Sequence, residues 1–369
     1  MGRVTLQTIA DEVGVSRMTV SNAFSRPDQL SAELRERVLA AAERLGYAGP
    51  DAAARALTRG RTGVIGMLLD TSPFDAFVDE AAVGFVRAAA AGLAEAGYSL
   101  VLLHANREGE IVPTRDVAMD GAIVYSCAPQ SEGVADLRRR RLPIVRVEGL
   151  PIDGVASVAI DDEGGARAAA EHLLALGHRD IAIVAAGIEA DGAPLHEPPA
   201  SDWSMTRGRL RGWYAALERA DVVPRIVATG RTAADAAARA GIRDLLEAPP
   251  TAVLCWSDLA AVEVLAAARE TGLRVPEDLS VVGFDDVPMA SRVTPQLTTV
   301  RQDLDAKGAA AVGALLAMLA GQRPEPLAPL ATRLVVRGSA APPRSEDPRG
   351  RPGAGLPGRP TATPGSEPS

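Results

Sequence analysis

The sequence predicts an α/β protein in which a small all-helical head precedes a larger body of two parallel-sheet subdomains. Three observations point there. The first 50 residues hold short amphipathic segments separated by very tight turns. From Val64 onward short apolar runs alternate with alanine-rich amphipathic stretches, the rhythm of strand-helix-strand units. A break from Pro151 to Val155 divides that rhythm into two similar halves. With 369 residues, 47% of them hydrophobic, the chain has material for more than one core.

In the head, Thr5 is placed to cap a helix whose Ile9, Ala10 and Val13 share one face, and Gly14 supplies the left-handed position that ends it. After only Gly14, Val15 and Ser16, the Ser16 side chain can cap a second helix carrying Val20, Ala23 and Phe24 inward. Helices joined so closely must cross steeply. Ser31 then caps a third, with Leu34, Val38, Ala41 and Leu45 at helical spacing and Gly46 closing it. The body's strands read as VIGMLL, SLVLL, GAIVYS, PIVRV, VASVAI, DIAIVA, TAVLCW and LSVVGF. Ligands of such sheets bind outside the carboxyl ends of the strands, so the cleft between the halves is the expected pocket. After Gly338 the sequence is Pro, Gly, Arg and Ser with almost no large apolar residue, and residues 339–369 are read as a disordered tail.

Bulk properties exclude several classes. No run approaches the roughly 18 apolar residues of a membrane span, and the start lacks a basic segment followed by an apolar one, so a cytoplasmic protein is expected. Leu6 stands where a myristoylation signal needs Ser or Thr. Cys127 and Cys255 lie far apart in apolar contexts and read as core thiols; His104, His172, His178 and His196 show no paired ligand spacing. Neither a metal nor a cofactor is expected. The net charge of -8 is unevenly distributed: residues 1–61 carry nine Arg against seven Asp plus Glu, whereas the remainder carries 30 basic against 40 acidic residues. A weakly basic head on an acidic body fits local contact with phosphate while the body is held away.

The segment "VTLQTIADEVGVSRMTVSNAFSRPDQLSAELRERVLAAAERLGY", followed by "PDAAARALTRGRTGVIGMLL", closely resembles the start of lactose/galactose-repressor family regulators, and the similarity continues through "IDDEGGARAAAEHLLALGHRDIAIV", "GRLRGW" and "LSVVGFDD" to about Gly338. The resemblance implies a helix-turn-helix DNA-binding domain over residues 1–50 and a hinge helix and linker over 51–61. It also implies a bilobed, periplasmic-binding-protein-like effector and dimerisation domain over 62–338. The implied function is that of a repressor binding a palindromic operator as a homodimer under control of a small molecule such as a sugar.

A helix-turn-helix lays its second helix in the major groove with residues near its N-terminus facing base edges. Arg17, Met18 and Asn22 hold those positions: Arg17 can donate twice to guanine, Asn22 can pair with adenine, and Met18 offers a contact to a thymine methyl. Ser16, Thr19 and Ser21 suit phosphate contacts, and Thr5 is counted with them among the DNA-binding residues. Ala52 to Thr58 is too short for a stable helix alone in water, so it is expected to fold on DNA. In the family a leucine of this hinge wedges between base pairs, and Leu57 matches it, with Arg55 by the backbone or groove wall. The plain alternatives are a solvated surface helix and an alanine-rich linker. One extra residue, Gly49, separates Tyr47 from Pro50.

For the pocket, Arg209 matches the family's ligand-binding arginine and Asp285 the aspartate that accepts from ligand hydroxyls. Asp258 is read as the cap of the next helix, with Ser257 touching ligand. Asp161, and Ser72 with Phe74, complete the ring. Asp is also the ordinary helix cap after a strand, and for Asp161, Asp162 and Asp286 that role is favoured. Trp256 stands where relatives carry a small residue, either narrowing the site or stacking on a sugar-like ring. The loop from Gly187 to Met205 and the stretch after Phe74 are longer than usual, and the stretch from His104 to Met119 is shorter. A secreted binding protein would share the bilobed fold without the DNA head. An enzyme finds no Ser-His-Asp arrangement, phosphate-cradling glycine loop or metal cluster to work with.

Overall fold

The computed structural model describes residues 4–49, 52–69, 77–105, 110–126, 131–149, 152, 154–189, 191–201, 203–229, 236–323 and 327–344. Ser72, Phe74 and Cys127 lie outside the described residues, as does the tail beyond Arg344. The chain divides into two compact units, residues 1–64 with 118–120 and residues 65–117 with 121 onward.

The first unit is helical: α1 (Leu6–Val13), α2 (Arg17–Ser25), a 3-10 turn at Pro27–Gln29, α3 (Ala32–Arg44) and α4 (Ala52–Arg59). Each of the first three helices starts on a hydroxyl. Thr5 accepts from Thr8 N in a reciprocal capping box, Ser16 from Thr19 N and Ser31 from Leu34 N, each cap stabilising by about 1 kcal/mol. Gly14 ends α1 at φ +74, its N–H donating to Ala10 O at 2.9 Å. That conformation lets α2 begin three residues later. Ile9, Ala10, Val20, Ala23, Val38, Ala41 and Ala42 form the buried core, with Phe24 and Tyr47 meeting edge to face at 5.8 Å.

The second unit holds two sheets. The first contains β1 (Val64–Leu69), β2 (Ser99–His104), β3 (Gly121–Tyr125), β4 (Ile144–Val147) and β5 (Ala156–Val158), in the order β2-β1-β3-β4-β5. Strand β1 pairs with β3, β3 with β4 and β4 with β5, all parallel. Its helices are α5 (Glu80–Glu95), α6 (Pro113–Asp116) and α7 (Glu132–Arg139). Parallel strands covered on both faces should be continuously apolar, and β1 and β4 are buried almost throughout.

After β5 the chain enters α8 (Asp162–Ala175) and builds the second sheet from β6 (Ile181–Ala186), β7 (Asp191–Pro194), β8 (Arg225–Thr229), β9 (Ala252–Cys255), β10 (Ser280–Asp285), β11 (Thr298–Arg301) and β12 (Arg333–Val335). Helices α9 (Ser204–Glu218), α10 (Ala236–Glu247) and α11 (Asp258–Glu270) cover it. The order is β12-β11-β10-β9-β6-β8-β7, with parallel pairing from β11 through β8 and antiparallel strands at both edges. Helix α12 (Leu304–Leu319) follows β11 yet packs on the first sheet, where Ala311, Val312 and Leu315 share a core with Ile65, Phe85, Ile123 and Val145. The chain thus passes between lobes near Ile160, which bridges Leu330, after β11, and again before β12.

The sequence reading ends the body at Gly338, but Ser339 is fully buried, donates to Val281 O at 2.6 Å and accepts from Thr298 N at 2.8 Å. Ala341 O accepts from His178 Nε2 at 2.9 Å. Small polar residues here finish the sheet by bonding its backbone, which a composition count cannot register. Cys255 is a buried free thiol, pushed far above its ordinary range by burial. Among the described residues no helix is long and apolar enough to cross a membrane, and no cluster could hold a metal ion.

Candidate functional site

In the head, Arg17 and Met18 stand at the exposed start of α2, with Met18 69% exposed despite its apolar side chain. Ser16 Oγ and Thr19 Oγ1 are 2.8 Å apart, so these two hydroxyls already hold each other while capping the helix. Asn22 Nδ2 donates to Gln29 Oε1 at 3.2 Å, and Ser21 O accepts from Ser25 Oγ. Thr5 is engaged in its capping box. On α4, Arg55 is exposed and Leu57 is 86% exposed.

In the body, the carboxyl ends of the strands gather a buried polar chain. Arg209 lies on α9, which approaches α8 closely because Gly208 and Gly212 face it. A Cβ at Gly212 would overlap the Glu163 carbonyl oxygen. This closeness lets Arg209 Nε donate to Asp162 Oδ1 at 2.9 Å. Its Nη1 donates to Trp256 O, its Nη2 lies 3.4 Å from Asp285 Oδ1, and its guanidinium sits 3.7 Å above the Phe284 ring. Burial works against the cation, but Asp285 and Asp162 outweigh it and raise the Arg209 pKa. Asp285 is itself pushed well up by burial, against the pull of Arg209.

From Asp285 the chain of contacts continues toward the first lobe. Gln302 Nε2 donates to Asp285 Oδ1 at 2.6 Å, Lys307 Nζ donates to Gln302 Oε1, and the same ammonium donates to Glu148 Oε1. Glu148 follows β4, and its carbonyl accepts from Arg146 Nε at 2.9 Å. Nearby, Asp79 caps α5 and is raised by burial; Tyr125 stacks on Phe85 at 4.9 Å and is also raised by burial. Four non-glycine residues at these strand ends, Ser126, Glu148, Asp285 and Asp286, have φ of +55, +58, +112 and +56. Each such conformation costs on the order of 1 kcal/mol or more and concentrates at ligand sites.

The remaining sequence candidates take these places. Ser257, not Asp258, caps α11 by accepting from Ala260 N at 3.1 Å. Asp258 is fully buried and accepts from Thr299 Oγ1 at 2.5 Å and Val287 N at 2.9 Å; burial pushes it up to about 7. Gly283 leaves the room for this carboxylate. Asp161 caps α8, accepting from Gly164 N. Asp286 pairs with Arg301 and Arg337 as part of the scaffold, whereas Asp162 turns to Arg209 instead of serving only its helix. Trp256 meets Trp203 edge to face at 6.2 Å, and its buried Nε1 has no hydrogen-bond partner among the described residues. Sequence reasoning missed Glu148, Gln302 and Lys307. The one available signal was that Lys307 is the only lysine among 39 basic residues. A groove of about 730 Å³ lined by Arg141, Pro143, Ala156, Met318 and Leu327 lies at the amino ends of β4 and β5, the end of the strands opposite to these groups.

Residues 5–49 match the model of the bacterial regulatory proteins of the lacI family, and residues 170–340 match that of a periplasmic binding protein-like domain. An HTH-type transcriptional regulator of Mycolicibacterium smegmatis is 38% identical over 333 residues, covering 83% of this chain and 88% of that one. The regulator IpsA of Corynebacterium glutamicum is 35% identical over 360 residues, covering 92% and 98%. Among solved structures, the lac repressor dimer bound to operator and an anti-inducer superposes with a TM-score of 0.73 at 28% identity, covering 92% of this chain and all of that one. A complex of the regulator CelR with cellobiose gives 0.64 at 28% identity with the same coverage.

Proposed function

Because the chain belongs to the lacI family of bacterial regulatory proteins, we propose that it is a cytoplasmic transcriptional repressor, without enzymatic activity, whose grip on DNA is set by a small polyhydroxylated effector. The observation that carries this reading is the buried Arg209 fork, held between Asp162 and Asp285 where the strands of the second lobe end. A planar set of donors beside acceptors in a low-dielectric pocket suits a ligand offering several hydroxyls. The CelR complex with cellobiose and the operator complex of the lac repressor support the two halves of the proposal.

On DNA, Arg17, Met18 and Asn22 read base edges in the major groove, with Thr5, Ser16, Thr19 and Ser21 near phosphates and Leu57 and Arg55 at the minor groove. Two heads on a palindrome require a two-fold partner, so the body, expected over residues 62–338 and extended here to 344 to keep the strand-completing Ser339 and Ala341, drives dimerisation. In the cleft, Asp161, Arg209, Trp256, Ser257 and Asp285, joined by Ser72 and Phe74, surround the effector. Selection from randomised palindromes followed by gel shift tests the regulator reading; failure to enrich any palindrome would sink it. A body fragment that sediments only as a monomer at micromolar concentration would remove the dimer.

A further inference from the structure

The chain uses arginine for 38 of its 39 basic residues, and its single lysine, Lys307, is completely buried. Placing an ammonium there is costly: removing a charge from water costs several kcal/mol, and an apolar side chain of similar volume at such a site is commonly neutral or more stable. A stabilising role is therefore a weak reason for this residue. Arginine does not substitute, because a compact point charge fits between two close oxygens where a planar fork does not.

What Lys307 does is set the direction of two groups at once. By donating to Gln302 Oε1 it turns the amide so that Nε2 faces Asp285, and by donating to Glu148 Oε1 it holds that carboxylate at the end of β4. The result has a regular chemistry. Glu148, Asp285 and Asp162 each have one oxygen tied to a cation or amide, and the other, Oε2, Oδ2 and Oδ2, has no partner among the described residues. None of these three oxygens is a sealed buried atom without a partner. Both cations are meanwhile occupied within the protein.

We propose, building on the regulator reading above, that Lys307 is the positioning residue that sets effector specificity, aligning the open oxygens of Glu148 and Asp285, beside that of Asp162 held by Arg209, to accept from hydroxyls of an uncharged polyol or sugar. An added phosphate group meets carboxylates at this site and is rejected.

The single lysine supplies its own probe. Full-length protein grown with lysine carrying a labelled Cε gives one side-chain signal, which is titrated with glucose, ribose, cellobiose and sorbitol, and with glucose 6-phosphate and ribose 5-phosphate, alongside thermal unfolding. At least one neutral probe is expected to raise the melting temperature and move the Lys307 signal, with the phosphorylated probes silent. Lys307→Met should weaken that neutral probe by at least about tenfold, and Lys307→Arg should not restore it. The pair Lys307→Met with Glu148→Gln removes both charges together and guards against simple misfolding; it too should lose the probe while unfolding cooperatively. Silence from all four neutral probes, binding that leaves the Lys307 signal unmoved, a tighter phosphorylated probe, or full affinity in Lys307→Met overturns the proposal. Loss of palindrome binding by the parent protein would instead strike the regulator reading.

Discussion

Arg209 Nε donates to Asp162 Oδ1 at 2.9 Å, tying the second turn of α9 to the first residue of α8 although the two lie 47 positions apart. Both side chains are largely out of water, at 3% and 16% exposure, so removing one partner strands the other. Arg209→Ala should destabilise the body by about 3–5 kcal/mol, as expected when a buried ion pair loses one member. Arg209→Lys keeps the charge but not the fork, so it should recover part of that stability while the effector response stays lost. Urea unfolding of the three proteins decides it; equal midpoints for parent and Arg209→Ala would refute the account.

Two glycine-to-alanine changes should have opposite signs. At Gly212 the added methyl overlaps the Glu163 carbonyl and pushes α9 off α8, costing about 1–3 kcal/mol and loosening Arg209 from Asp162. At Gly313, on the exposed side of α12, the methyl meets nothing and removes unfolded-state freedom, a gain of about 0.4–1 kcal/mol. Paired thermal melts read both signs directly.

Asp258 gives the body a pH dependence of definite direction. Its carboxyl is pushed from an ordinary 3.8 up to about 7, first by burial, so between those values the folded state binds more protons than the unfolded one. Stability should then fall as pH rises through this window, by up to about 1.4 kcal/mol per unit from this group. Asp258→Asn retains an acceptor for Val287 N and should flatten the slope, leaving the part that Asp79, Asp162 and Asp285 contribute in the same direction. Denaturant midpoints from pH 4 to 7 measure it, and an unchanged slope would exclude Asp258 as the source.

Leu57→Ala tests the hinge. If paired leucines wedge a base step, losing the apolar insertion should lower affinity for the selected palindrome by more than about tenfold, since unstacking costs a few kcal/mol. Preference for an easily kinked pyrimidine-purine centre should weaken with it. Folding stability should hardly change, because the side chain is 86% exposed. Gel-shift titration at fixed salt with bending on permuted fragments measures both effects, and parental binding and bending would reduce the segment to a tether.

The head was legible almost residue by residue because its determinants are local: Thr5, Ser16 and Ser31 each cap the helix they precede, and Gly14 takes the left-handed position. The eight apolar runs of the body all contain strands, but β7, β8, β11 and β12 escaped notice. All four lie at or next to a sheet edge, and β11, although buried, carries Thr298 and Thr299 where a search for apolar runs expects aliphatic residues. Arg209 and Asp285 could be singled out from their motifs. Glu148, Gln302 and Lys307 could not, since Glu148 lies 159 positions from Lys307 and only the fold brings it to the neighbouring pair Gln302 and Lys307. Ser257 took the capping role expected of Asp258 because either residue can cap a helix, and only the burial of Asp258 against Thr299 and Val287 distinguishes them.

The return of α12 to the first sheet makes the order of synthesis matter. Phe85, Ile65 and Ile123 leave the ribosome long before Ala311, Val312 and Leu315, the residues that complete their core. The lobe begun at Val64 must therefore wait, with apolar surface open, while the entire second lobe is made. A nascent chain stalled anywhere before Leu319 exposes that surface, so premature stop codons late in the gene should yield aggregates and chaperone clients instead of a trimmed but working regulator.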